Sequence, residues 1–119
     1  MRDFRKLDVW EKSHQLTLAV YRITRDFPKE ELYGLTSQMR RACVSIPANI
    51  AEGSGRESLA ERVRFLQISM GSASEVQYYF LLTRDLGWLP SETCEKLTAE
   101  VEEIKRMLTG LMKKLKPTT

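Results

Sequence analysis

The sequence predicts an all-α protein that folds as a single domain over residues 1–119, an up-down-up-down antiparallel four-helix bundle. Four stretches repeat apolar residues at spacings of three and four, the period of a helix with a buried face, and none alternates as a strand does. The breaks are short and helices of about 20 residues are about 30 Å long, so neighbouring helices must run antiparallel. We predict the helices at about residues 7–27, 35–53, 59–86 and 91–115.

Proline shapes the first two helices. Core-facing residues of the first step by 4, 3, 4, 3 and 4 from Val9 to Phe27, and Pro28 then ends the helix. The second helix carries Pro47 in its interior. A proline there leaves the carbonyl of Cys43 without its amide donor and clashes with the preceding turn, at a cost of about 3 kcal/mol or more, so we predict a kink at Pro47.

The third and fourth helices begin and end at capping residues. Ser58 followed by Glu61 is the pattern of a capping box, worth about 1 kcal/mol at a helix start. Gly87 is placed to end the third helix, and Ser91 to cap the fourth. The fourth helix is apolar on a single stripe and is otherwise rich in Glu, Lys and Arg.

Helices two and three carry apolar residues on two opposite faces, although a helix in a lone bundle needs only one. Because exposed apolar patches usually mark an interface, we predict that the second faces join copies of the chain into a homo-oligomer. The alternative is that they only touch the flanking helices of the same bundle. The candidate interface residues are Val44, Ala48, Phe65, Ile68, Val76 and Tyr79.

A narrow polar seam separates the two apolar faces of helix two. Its members recur at spacings of three and four, and they are Gln38, Arg41, Ser45, Asn49 and Glu52. In one interpretation, Ser45 and Asn49 re-satisfy backbone groups freed by Pro47, and the seam hydrogen-bonds to a neighbouring helix. The other interpretation is a contact with a ligand or with nucleic acid.

The composition is that of an ordinary globular protein, with 42% apolar and 29% charged residues. The longest apolar run, residues 78–82, is far too short to cross a membrane, and the N-terminus lacks the apolar segment of a signal peptide. We therefore expect a cytoplasmic protein, whose Cys43 and Cys94 are small buried residues. The net charge of +3 and the pI near 9.0 slightly favour an anionic partner.

No motif indicates catalysis, a cofactor or a metal. Glu11 and His14 match the E-x-x-H spacing of di-iron bundles, but His14 is the only histidine and both side chains are predicted to point away from the core. The Gly-Ser-Gly turn at residues 53–55 follows a helix and lacks the Gly-Lys-Ser/Thr of a phosphate loop. A lone histidine also supports no catalytic triad, so we predict that the protein is not an enzyme.

In an antiparallel bundle, the start of helix one, the turn between helices two and three and the end of helix four meet at one end. That end gathers seven basic against four acidic residues, whereas the opposite end has five against six. A basic end suits the phosphates of nucleic acid, although basic residues also complement a helix C-terminus. The candidate nucleic-acid-binding residues are Arg2, Arg5, Lys6, Arg56, Lys113, Lys114 and Lys116.

The run QMRRACVSIPANIAEG at residues 38–53, followed by GRES and later by LLTRDLGWL, resembles the 23S rRNA intervening-sequence protein family, also called the four helix bundle proteins. The likeness covers nearly the whole chain, from Lys6 to Leu115. The chain departs from the family pattern at Cys43, where an alanine is expected, and at Met39, where a leucine is expected. The matching structural signature comprises Arg40, Arg41, Ser45, Pro47, Asn49, Glu52 and Gly53.

The resemblance implies a bacterial cytosolic bundle that assembles into a homopentameric ring, with no catalytic residue and no cofactor. Some relatives are encoded within insertions in 23S rRNA genes. The family also resembles the accessory protein of diversity-generating retroelements, which binds nucleic acid and a reverse transcriptase. We therefore predict a non-enzymatic ring that binds RNA or other nucleic acid through a basic rim. The alternatives are a scaffold that docks a protein partner, such as a reverse transcriptase or other polymerase, and a small-molecule site in the ring's centre.

Overall fold

The computed structural model describes residues 3–115, which form four α-helices and no strand. The helices are α1 (Asp8–Thr24), α2 (Leu35–Ser54), α3 (Leu59–Asp85) and α4 (Ser91–Leu115). Short 3₁₀ turns, Phe4–Lys6 and Lys29–Glu31, precede α1 and α2. Among these residues, no helix combines the length and the apolar character needed to cross a membrane.

Contacts between helices confirm the antiparallel bundle. Arg40, early in α2, bonds to Thr24, late in α1, and Cys94, early in α4, bonds to Phe80, late in α3. Residues 55–58 alone separate α2 from α3, which pack against each other. Within the described part of the chain, the backbones of α1 and α3 each pack beside those of α2 and α4, whereas the backbones of the two diagonal pairs do not come within 8 Å between Cα atoms. The four helices therefore form a square in cross-section.

One apolar core runs through the bundle and receives side chains from all four helices. One face of α2 lies in this core, where Met39, Ala42, Ile46 and Ile50 are all buried. Each large aliphatic side chain buried in this way contributes about 1.5–3 kcal/mol. The largest fully buried apolar side chains include Phe80, Leu16, Met39, Ile46, Ile50, Ile104 and Leu108.

Both predicted end signals of α3 are present. The Ser58 hydroxyl accepts a hydrogen bond from the backbone N–H of Glu61 at 3.1 Å. At the other end, Gly87 has a φ of +81°, and the N–H of Trp88 donates to the carbonyl of Thr83 at 2.9 Å. This is the Schellman arrangement, in which glycine avoids the strain that a side chain suffers in a left-handed conformation.

α1 ends at Thr24, three residues before its predicted end. The amides of residues 25–27 donate to carbonyls three residues back, at 3.2–3.4 Å, so the chain tightens into a turn where a longer helix was expected. The Thr24 hydroxyl also donates to the carbonyl of Val20 at 2.7 Å. Phe27 stays buried through that turn, and for this reason the apolar spacing continues beyond the helix.

The buried face of α3 includes two residues that the sequence analysis places outside. Val76 is fully buried and Tyr79 is only 8% exposed. The core stripe of α3 continues from Ala73 through Val76 to Phe80 in steps of three and four, so these side chains face other helices of the same chain. The prediction that Val76 and Tyr79 lie on an outward apolar face is therefore wrong.

Pro47 lies inside α2, which is helical on both sides of it. The carbonyl of Cys43, deprived of its amide donor, has the Thr17 hydroxyl of α1 at 3.4 Å. That hydroxyl lies closer to the carbonyl of Ser13, at 2.8 Å, so its single proton is shared unequally between the two. A neighbouring helix thus supplies the donor at the proline, and the bend itself stays a prediction.

Candidate nucleic-acid interface

The start of α1, the turn between α2 and α3 and the end of α4 meet at one end of the bundle. Side chains from these segments surround one small apolar opening, and they include Leu7, Ile50, Gly53, Leu66, Leu111 and Leu115. We call this the basic end, after the predicted residues Arg5, Lys6, Arg56, Lys113 and Lys114. The other two candidates, Arg2 and Lys116, lie outside the described residues.

The basic end contains arginines that form ion pairs and lysines that do not. Arg5 Nε lies 2.9 Å from the carboxylate of Asp3, and this hydrogen bond lowers the pKa of Asp3 and raises the pKa of Arg5. Arg56 pairs with Glu52 at 2.7 Å. The exposed lysines of this end are Lys6, Lys113 and Lys114, and like every other described lysine they have no carboxylate of residues 3–115 within 4.0 Å.

Two arginines of α3, Arg62 and Arg64, join the basic end and are absent from the predicted set. Two guanidinium groups lie over the Phe65 ring, with Cζ of Arg56 5.0 Å and Cζ of Arg64 5.5 Å from the ring centre. Arg62 donates to the carbonyl of Arg56 at 2.7 Å, and Arg64 pairs with Glu61 at 3.6 Å. Because these arginines bind protein groups, the lysines are better placed for a phosphate. In the sequence, the charged start of the third helix could have indicated that Arg62 and Arg64 belong to this end.

The polar seam of α2 faces α3 and hydrogen-bonds to it, as one part of the structural interpretation predicts. The other part is wrong, because Ser45 and Asn49 do not bond to the Cys43 carbonyl that Pro47 frees, and Thr17 approaches it instead. The Asn49 amide donates to the carbonyl of Ser45 at 2.8 Å and to its hydroxyl at 2.9 Å. Ser72 of α3 donates to the same Ser45 hydroxyl at 2.8 Å. These side chains bond to each other and to α3, whereas the carbonyl of Cys43 is approached by Thr17 of α1.

Tyr79 belongs to the same seam. Its hydroxyl donates to the carboxylate of Glu75 at 2.6 Å, which favours the neutral phenol and raises the pKa of Tyr79 to about 12. Gln38 of α2 lies 3.2 Å from this hydroxyl. A polar groove of about 380 Å³ opens beside these residues between α2 and α3. Arg41 lines the groove, and no described carboxylate lies within 4.0 Å of it.

The outer surfaces of α2 and α3 keep four of the six predicted interface residues accessible: Val44, Ala48, Phe65 and Ile68. Val44 and Ile68 are each 39% exposed. Leu18 and Tyr21 of α1 are exposed to a similar degree and are absent from the predicted set.

His14, Glu11 and Cys43 are engaged with neighbouring side chains or buried in the core. His14 stacks on Trp10, with ring centres 5.0 Å apart, and Glu11 accepts a hydrogen bond from Gln15 at 3.2 Å. In residues 3–115, no group of three or more His, Cys, Asp or Glu side chains is arranged to hold a metal ion. Cys43 is buried, and burial raises the pKa of its thiol to about 12.

Four antiparallel helices with a proline inside α2 and a basic end define a small helical-bundle protein. The family model of the 23S rRNA-intervening sequence protein matches residues 5–110, and the chain belongs to that family. The fold is similar to a 1.70 Å crystal structure from Bacteroides thetaiotaomicron VPI-5482, described as a protein with unknown function from the S23 ribosomal protein family. The TM-score is 0.82 at 24% identity, over 88% of this chain and 95% of that chain. No curated protein matches the sequence.

Proposed function

We propose that the chain forms a homo-oligomeric ring and binds RNA or another nucleic acid through its basic end, without catalysing a reaction. One observation carries this proposal: Lys6, Lys113 and Lys114 meet at one end, with no described carboxylate within 4.0 Å. Exposed lysines of this kind neutralise phosphates and release counterions.

The ring strengthens the basic end. In a closed cyclic assembly, the same end of every copy lies on one rim, so a few lysines per chain add up to a strongly basic surface. Outward apolar residues such as Val44 and Ile68 support self-association. The number of five copies and the bacterial cytoplasm follow from the family resemblance alone.

The proposal is tested by reversing the lysine charges. In Lys113→Glu with Lys114→Glu, we expect the affinity for an RNA of about 20 nucleotides at about 50 mM salt to fall at least tenfold. The slope of log affinity against log salt should become shallower by about two, since two phosphate contacts are lost. Fluorescence anisotropy of labelled RNA measures both quantities, and several unrelated RNA sequences should behave alike because phosphate contacts carry little sequence information.

The control reverses two ion-paired arginines elsewhere on the surface, Arg84→Glu with Arg106→Glu. These arginines lie on α3 and α4 outside the predicted binding set, so RNA affinity should change much less. Equal losses in both variants would indicate nonspecific attraction to a basic protein. If the unaltered protein does not bind RNA under these conditions, the proposed function is wrong.

A second candidate function is the docking of a protein partner such as a reverse transcriptase or other polymerase. A groove of about 560 Å³ between α1 and α4 favours it. Leu16, Ala19 and Leu97 contribute apolar side chains to the groove, and Lys96 and Glu100 contribute charges. The position of the gene beside an rRNA gene or beside a reverse-transcriptase gene would distinguish the two candidates.

A further inference from the structure

We propose that a second surface, separate from the basic end, contacts the phosphates of nucleic acid through four arginines. These residues, which we call the arginine belt, are Arg22, Arg25, Arg40 and Arg41. They lie in the last turn of α1, directly after it and in the first part of α2, towards the end of the bundle opposite the basic end. The inference rests on the proposed nucleic-acid binding and adds a second contact surface to it.

The belt differs from the other arginines in its pairing. Residues 3–115 include ten arginines, and five of them pair with a carboxylate, namely Arg5, Arg56, Arg64, Arg84 and Arg106. Arg62 donates to a backbone carbonyl. The four that remain form the belt, and none of them has a carboxylate within 4.0 Å in the described part of the chain. Among the described arginines, the belt is therefore the set that has neither a carboxylate nor a backbone carbonyl as a partner.

One contact between α1 and α2 holds the belt together. Arg40 Nε donates to the Thr24 hydroxyl at 2.8 Å, and the guanidinium lies over the Tyr21 ring, 4.8 Å from its centre. In the sequence, Arg22 follows Tyr21, Arg25 follows Thr24 and Arg41 follows Arg40. Successive helix residues point about 100° apart, so the side chains spread around this contact. They extend from the α1–α4 groove, which Arg22 lines, to the α2–α3 groove, which Arg41 lines.

The chemistry of the belt favours phosphodiesters over the carboxylates of a protein. With Nε held by Thr24, the two terminal amino groups of Arg40 form an oriented fork of the kind that binds phosphate oxygens. Tyr21 is 40% exposed beside this fork and offers a ring face to an unpaired base. A nucleic acid supplies one negative charge per nucleotide, which matches a row of arginines that have no carboxylate partner. The rival partner is the glutamate-rich first half of α4 in a second copy.

The test compares two variants that remove the same charge. Arg25→Gln with Arg41→Gln changes the belt, and Arg84→Gln with Arg106→Gln changes two paired, exposed arginines. The belt variant should bind an RNA of about 20 nucleotides about tenfold more weakly at about 50 mM salt, and its salt slope should fall by about two. The control should stay within about twofold of the unaltered protein. Arg40→Lys keeps the charge but loses the fork, and should weaken binding to a smaller extent.

The double variant Lys113→Glu with Lys114→Glu is measured alongside, so that RNA binding by the belt can be distinguished from RNA binding by the basic end. A belt variant that binds more weakly while its particle mass is unchanged supports the belt, whatever the lysine variant does. An unchanged belt variant beside a weakened lysine variant overturns the belt and keeps the proposed function. If the unaltered protein binds no RNA, both proposals fall. If light scattering shows a smaller particle for the belt variant, the belt joins copies of the chain and the inference is wrong.

Discussion

Gly53 allows α2 and α3 to lie close together at the basic end. A Cβ added there would be 3.0 Å from the Cβ of Phe65 and 3.4 Å from the carbonyl oxygen of Arg62. Cβ atoms in proteins essentially never approach each other more closely than this, and interiors have no spare volume into which the helices could shift freely. A steric constraint therefore explains the glycine at position 53, and the constraint comes from Phe65, twelve positions later in the chain.

We expect Gly53→Ala to destabilise the protein by about 1–3 kcal/mol, because overpacking outweighs the gain of about 1 kcal/mol from the better helix propensity of alanine. Urea unfolding followed by circular dichroism measures the change. Gly71→Ala is the matched control. Gly71 lies in α3, the helix that Gly53 contacts, and a Cβ added at Gly71 meets nothing within 4 Å. The control should be neutral or stabilising, and a loss of stability equal to that of Gly53→Ala would contradict the steric explanation.

At the scale of the element, α2 is bound through hydroxyl groups of its neighbours on both flanks near Pro47. Thr17 of α1 approaches the carbonyl of Cys43, and Ser69 of α3 donates to the carbonyl of Ile46 at 2.9 Å. Both hydroxyls lie in the interior of the bundle. The cost of an interior proline is therefore reduced by tertiary contacts, and the polar seam of α2 serves a separate set of hydrogen bonds.

In Pro47→Ala, the new amide can donate to the carbonyl of Cys43, so α2 should regain a helical hydrogen bond and straighten. Straightening would move the exposed Val44 and Ala48 relative to α3, and we expect an altered or heterogeneous oligomer with unchanged helical content. Size-exclusion chromatography with light scattering measures the distribution, and circular dichroism the helicity. An oligomer of unchanged size and stability would show that the proline is merely tolerated.

The four helices could be predicted because apolar spacing, caps and short breaks are local features of the chain. The orientation of α3 could not, since apolar residues occur all around it and the positions of α2 and α4 decide that Val76 faces inward. The basic end followed from topology, yet the sequence does not show that Arg5 and Arg56 are engaged by Asp3 and Glu52. The arginine belt was equally hidden, because the absence of a nearby carboxylate is visible only in three dimensions.

At the scale of the whole molecule, the two cationic surfaces lie at different heights on an elongated bundle that measures 48 × 23 × 21 Å. The lysines lie at the basic end, and the belt lies towards the other end on α1 and α2. A nucleic acid that contacts both must therefore run along the side of the bundle. In a ring, that path would repeat once per copy, so binding should depend on assembly as well as on charge.

Assembly is tested at the apolar surface of α2 and α3. Val44→Glu with Ile68→Glu places two charges there, and burying an unpaired charge in a contact costs several kcal/mol, so the particle should become smaller. Because each side chain is 39% exposed in the single chain, helical content should be retained. Light scattering at micromolar concentration gives the mass, and circular dichroism checks the fold.

The matched control is Tyr78→Glu with Leu81→Glu, which also adds two charges at exposed apolar positions of α3. These residues lie outside the predicted interface, so the control should keep the mass of the unaltered protein. If the control dissociates and Val44→Glu with Ile68→Glu does not, the copies meet through a different face of α3. If the unaltered chain is itself a monomer at micromolar concentration, there is no ring, and the exposed apolar residues need another partner.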